Sequence, residues 1–303
     1  MKNKIFRSTV FSFLLFTLCL AVSAQEAQPA GRAVLLPDQK LASKLMARDM
    51  PYRVIVPVGY DAKPEQRFPV IYLLHGLAGH FTNWTDLTKV TSYAANYNFI
   101  IVMPEGNDGW YTDSATVPKD KYESYLLREL IPEIDKKYRT VRDRAHRVVA
   151  GLSMGGYGAI KFGLKYPEMF SVVGSFSGAL TAPLPSALDI APTWKELIDS
   201  LASVYGPEDS KTRRDNDIFR LLNEMPADKL RSLPFLYLAC GTEDNLLKTN
   251  RDLDALLLDK KLPHEFREAP GKHEWPFWDR QVEQFLRVTA RVGVGMAVSP
   301  SGH

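Results

Sequence analysis

Cysteine is nearly absent from this chain of 303 residues: Cys19 and Cys240 are the only two. Cys19 falls inside an N-terminal segment that reads as a removable leader, so Cys240 would stand alone and no intramolecular disulfide is available. A fold stapled by bridges is thereby excluded, and Cys240, closing the apolar run Phe235-Leu236-Tyr237-Leu238-Ala239-Cys240, reads as a small buried hydrophobe. The apolar run at residues 10–22 falls short of the about 20 residues an ordinary membrane span needs. No internal repeat is visible, and neither a metal-ligand cluster nor a cofactor fingerprint appears, so no metal and no cofactor are expected.

A charge imbalance is missing too. The formal net charge of +3 comes from 38 Lys and Arg against 35 Asp and Glu. Lys2, Lys4 and Arg7 precede the apolar run, and Ala21-Val22-Ser23-Ala24 offers small residues at the cleavage positions. That is the pattern of a secretory signal peptide over residues 1–24, cleaved after Ala24. Leu18 is too bulky for a lipoprotein signal at Cys19, so a secreted or periplasmic protein without a stable membrane anchor is expected. Once the leader is gone the charges balance, and nothing points to a nucleic-acid partner.

Residues 25–303 suffice for one α/β domain with a sizeable core and no covalent staples. Residues 52–57 alternate and end at Pro57, as an edge or antiparallel strand would. Residues 70–74, 99–103, 147–150, 171–176, 235–240 and 264–269 read as further strands, the first two apolar throughout as in a sheet covered on both faces. Between them, 87–98, 122–138 (interrupted by Pro132), 156–166, 250–260 and 275–291 read as helices. Such alternation gives a mostly parallel central sheet with helices on both faces. From 179 to 233 six prolines punctuate the stretch and its exit, and the alternation lapses. This reads as a small cap-like insertion, either a roof over a site or a surface excursion. Residues 292–303 read as a loose tail.

The motif that carries chemistry is Gly151-Leu152-Ser153-Met154-Gly155. A buried-type strand precedes it and a helix follows, which is the context of a nucleophile elbow; the glycines are there because a Cβ would collide in so tight a turn. Without that context the motif is an ordinary Gly-rich turn. A serine hydroxyl needs a neighbouring base, usually a His oriented by a carboxylate, and on sheets of this kind the order is Ser, acid, His. His75, His80 and His146 precede Ser153, His303 ends the chain, and His264 opens the last strand at the wrong end of the sheet. His273, four residues past that strand, remains. Among acids, Glu243 and Asp244 alone follow an apolar strand directly. Asp244 is preferred for its shorter side chain, with Glu243 left open.

The two amides of an oxyanion hole are expected at Met154, after the nucleophile, and at Leu77 in the loop His75-Gly76-Leu77-Ala78-Gly79. His75 reads as framing this loop. Trp84, Trp110, Tyr111 and Trp275 all lie near strand ends or these loops and are candidates to line a substrate pocket, core packing being the alternative for each.

Leu74-His75-Gly76, Gly109-Trp110-Tyr111-Thr112-Asp113, the elbow with Gly156-Tyr157-Gly158-Ala159, Gly241-Thr242-Glu243-Asp244 and Gly271-Lys272-His273-Glu274-Trp275 together resemble the esterase D-like family of α/β-hydrolases. That family includes tributyrin-type, feruloyl and acetylxylan esterases, S-formylglutathione hydrolases and mycolyltransferases. The resemblance spans about residues 45–290 and implies Ser153, Asp244 and His273 as catalytic residues with Leu77 and Met154 as oxyanion donors. It implies a serine carboxylesterase acting on short-chain acyl or aryl esters, either small molecules or esters linked to polysaccharide. The leader is at odds with a cytosolic formylglutathione role. Acyl transfer to a sugar or lipid alcohol is the alternative within enzymes, and a silent surface-binding protein on a hydrolase scaffold the alternative outside them. Oligomeric state is not legible.

Overall fold

The computed structural model describes residues 32–188 and 193–294. The expected leader lies outside them, as does most of the expected tail. Among the described residues nine strands form one sheet: β1 (Val34–Leu35), β2 (Gln39–Ser43), β3 (Arg48–Val56), β4 (Val70–Leu74), β5 (Ile100–Pro104), β6 (Arg147–Leu152), β7 (Val172–Phe176), β8 (Phe235–Gly241) and β9 (His264–Ala269). Their order is β1-β3-β5-β4-β6-β7-β8-β9, with β2 also on β3. From β5 through β9 every pairing is parallel, and β3 runs antiparallel to β5. β1 and β2 lack apolar runs and were not foreseen; they form because β3 offers them a ladder.

Successive residues of β4 feed opposite layers. Val70, Tyr72 and Leu74 join one core, Ile71 and Leu73 the other. Both layers are filled, which is why the strand reads as unbroken hydrophobe. Cys240 is buried, and burial pushes its thiol up to about 12.

Among the described residues eleven α-helices accompany the sheet: α1 (Asn83–Leu87), α2 (Val90–Ala94), α3 (Tyr122–Tyr125), α4 (Ile131–Lys137), α5 (Met154–Lys165), α6 (Lys195–Tyr205), α7 (Lys211–Asn216), α8 (Ile218–Glu224), α9 (Ala227–Leu230), α10 (Leu247–Asp259) and α11 (Trp275–Arg291). The helix expected over 87–98 is two short ones. Thr88 is extended, its hydroxyl donates back to the Trp84 carbonyl, and the Lys89 amide is caught by Asp279 of α11 at 2.7 Å. Between α3 and α4 the chain makes a π turn over Leu126–Leu130, closed by the Ile131 amide on the Leu126 carbonyl. Pro132 has no N–H to give the Arg128 carbonyl, so the α ladder must be interrupted there.

α6 to α9 and a 3₁₀ turn, Pro185–Leu188, fall within the stretch expected as an insertion. Val294, within the stretch expected as a loose tail, is buried in the second core layer. Among the described residues no helix is long and apolar enough to cross a membrane.

Candidate active site

Ser153 sits between the end of β6 and the first residue of α5 at φ 52°, ψ −116°. A non-glycine residue there costs of order 1–3 kcal/mol and persists only when its surroundings over-determine it. They do: its amide donates to the Phe176 carbonyl at 2.9 Å, and its carbonyl accepts from Tyr157 at 3.0 Å and Ala179 at 3.1 Å. A Cβ on Gly155 would lie 2.5 Å from the Leu74 carbonyl oxygen, and one on Gly151 would lie 2.6 Å from the Gly155 carbonyl carbon. The two glycines let the elbow press against the end of β4.

The loops after β8 and β9 touch, with the Glu243 amide donating to the Gly271 carbonyl at 3.0 Å. They carry Asp244 and His273. The His273 Nε2 is 2.9 Å from the Ser153 Oγ, and its Nδ1 is 2.9 Å from the Asp244 Oδ2. The Asp244 side chain is fully buried, and its Oδ1 accepts from the Leu246 amide at 2.8 Å. Burial alone would raise the Asp244 carboxyl. The hydrogen bond to His273, the charge of that imidazole and the Leu246 amide outweigh it and hold the carboxyl below the usual carboxylate range. Glu243 is exposed and accepts instead from the Thr242 hydroxyl at 3.0 Å. His264 is held elsewhere, against Asp254 at 2.8 Å.

Leu77 and Met154 flank Ser153, and among the described residues neither amide has a hydrogen-bond acceptor. At Met154 that follows from position, since the first amides of a helix have no partner within it. The arrangement can therefore offer a hydroxyl, a base in line with it, and two free donors.

Two cavities open at Ser153. The first, about 160 Å³, is walled by Trp110, Ala182, Ala187 and Leu197. Trp110 is locked by its Nε1 donating to the Ser200 hydroxyl at 3.0 Å. The second, about 280 Å³, is lined by Asn83, Leu87, Trp275 and Trp278. Leu77 and His273 border both.

Two of the four aromatics expected at a pocket are not brought to either cavity. Trp84 has no exposure; α1 turns it into the core, where its Nε1 donates to the Leu74 carbonyl at 3.0 Å and its ring packs edge-on against Phe176 and Trp275. Tyr111 is buried as well, its hydroxyl donating to the His75 carbonyl at 3.0 Å. Sequence reasoning missed Glu105, Asp108 and Ser200. Glu105 follows β5 directly, so the strand-end rule applied to the acids after β8 would have drawn notice to it.

Residues 43–288 match the family model named Esterase. The chain belongs to the Esterase family. It is 29% identical over 265 residues to an acetyl esterase of Caldicellulosiruptor saccharolyticus, covering 82% of this chain and 96% of that one. It is 35% identical over 246 residues to an endo-1,4-beta-xylanase/feruloyl esterase of Xylanibacter ruminicola, covering 77% of this chain but only 28% of that larger protein. A solved ferulic acid esterase superposes with a TM-score of 0.72 at 26% identity, covering 86% of this chain and 99% of that one. This esterase therefore has the α/β-hydrolase fold, and it is an enzyme acting on carboxylic esters.

Proposed function

We propose that this esterase is an exported serine carboxylesterase working through Ser153, His273 and Asp244. The observation that supports this most directly is the unbroken hydrogen-bonded line from the Ser153 Oγ through both imidazole nitrogens to the buried Asp244 carboxylate. His273 Nε2 takes the hydroxyl proton as Oγ bonds to the ester carbonyl carbon. The Leu77 and Met154 amides receive the oxyanion, and Asp244 holds the imidazole and balances the charge it gains. The C–O bond to the alcohol then breaks, with His273 returning the proton to the departing oxygen. Water, deprotonated by the same nitrogen, attacks the acyl-enzyme, and collapse frees the acid and restores Ser153.

The smaller cavity, closed by the insertion and by Trp110, suits a short acyl chain. The wider cleft beside Trp275 suits the alcohol, and an acetyl or feruloyl ester on a sugar or polysaccharide fits an exported enzyme with such relatives. Residues 25–303 are read as a single domain whose insertion sets acyl length. Ser153→Ala should abolish turnover of p-nitrophenyl acetate while leaving thermal unfolding intact; a variant as active as the parent would end the proposal.

A further inference from the structure

The loop that carries the Leu77 amide is held from outside, by the loop that follows β5. Of the five amides from Leu77 to Phe81, that of Leu77 alone has no acceptor among the described residues. Ala78 donates to the Asp108 Oδ1 at 2.8 Å, Gly79 to the Gly76 carbonyl at 3.1 Å, His80 to the Asn83 Oδ1 at 2.7 Å, and Phe81 to the Glu105 Oε2 at 3.3 Å. Ala78 has φ 56°, a left-handed backbone unfavourable for a residue with a Cβ, and the Asp108 carboxylate is the external tie on that residue.

Glu105 works from the other end. Nearly buried, it places Oε1 3.0 Å from the His75 Nε2 and accepts from the Asn107 amide at 2.7 Å. His75 is itself fixed, its Nδ1 2.8 Å from the Gly76 carbonyl and its Nε2 2.8 Å from the Gly106 amide nitrogen. Tyr111 completes the mould by donating to the His75 carbonyl. Neither carboxylate lines a cavity with Ser153.

We infer that Asp108 and Glu105 are positioning residues for the oxyanion loop, leaving the Leu77 amide free and aimed by satisfying the polar groups on either side of it. The inference rests on the proposed role of Leu77. An oxyanion donor is worth about 10²–10³ in turnover when removed outright, so tilting one should cost part of that. The cost belongs to the tetrahedral state, because the ground-state ester makes little use of the donor.

The experiment compares Asp108→Ala, Asp108→Asn and Glu105→Gln on p-nitrophenyl acetate, together with inhibition by phenylboronic acid, which turns tetrahedral on a serine. Asp108→Ala should lower kcat by about tenfold with KM changed less than about twofold, and weaken the boronic acid by a similar factor. Asp108→Asn keeps an oxygen that can accept from Ala78 and should recover most of kcat. Glu105→Gln should behave like Asp108→Ala; if it fails to fold, the two Asp108 variants decide the matter. Wild-type kcat and inhibition in Asp108→Ala would overturn the inference, as would an Asn variant no better than Ala. If Ser153→Ala retains turnover, the proposed mechanism itself falls; if that variant is dead while Asp108→Ala is unaffected, only this inference does.

Discussion

Lys161 donates to the Tyr111 carbonyl across 2.5 Å from a side chain with no exposure to solvent. The same ammonium reaches the Thr112 hydroxyl at 2.7 Å and Glu123 at 2.8 Å, and Glu123 in turn takes Lys165 at 2.6 Å and the Tyr166 hydroxyl at 2.5 Å. Trp110 and Tyr111 both have positive φ, 50° and 49°. Lys161, on the helix that starts at the elbow, thus anchors the strained turn from which Trp110 enters the first cavity wall.

Removing that amine should be costly. Lys161→Met leaves Glu123 short of its buried partner and the Tyr111 carbonyl without a donor, and breaking a buried pair from one side costs about 3–5 kcal/mol. Urea unfolding should show that loss as a lower midpoint with an unchanged slope. A midpoint near that of the parent would mean the network contributes little.

Acid should unfold the protein through two carboxylates. In Glu123, burial would raise the pKa, but Lys161 and Lys165 outweigh it and bring it down to about 2. In Glu105, the burial penalty is outweighed by the hydrogen bond and charge of His75 and by the Asn107 and Phe81 amides, again to about 2. Between that value and the ordinary carboxylate range near 4.3, the unfolded chain binds more protons than the folded one, so stability rises with pH. Their contribution is complete above the ordinary range and drains as pH falls toward 2. Stability measured from pH 6 down to 2 should show this slope, and Glu123→Gln should flatten it while being less stable at pH 7.

The two acids after β8 separate cleanly. Asp244→Asn should lower kcat by about 10⁴, since an amide no longer favours the imidazole tautomer and charge that the reaction needs. Glu243→Gln, exposed and bound only to Thr242, should stay within about twofold of the parent. Kinetics on p-nitrophenyl acetate give both numbers, and the reverse pattern would move the role to Glu243.

What the chain revealed in advance follows the kind of force involved. β4 was legible to the residue because a strand covered on both faces must be apolar at every position, and β9 and α11 were legible from their punctuation. The elbow was legible because its glycines answer a local steric demand. Trp84, Glu105 and Asp108 were not, because their meaning depends on which way a side chain turns once distant loops meet. Trp84 and Trp110 look alike in sequence; one is turned into the core by α1, and the other is held at a cavity by Ser200.

The first cavity offers the sharpest test of substrate side. Ala182 is 1% exposed and forms part of its wall from the insertion. Ala182→Leu would fill space there. If the cavity takes the acyl chain, kcat/KM for p-nitrophenyl hexanoate should fall at least about tenfold relative to acetate, since a methylene or two misfitted in an apolar pocket is worth about 1–3 kcal/mol. Overpacking of a buried wall costs about 1–3 kcal/mol of stability, so thermal unfolding must be followed in parallel. A parallel fall for both esters would show that the cavity does not sort acyl chains, and the alcohol would have to lie on that side of Ser153.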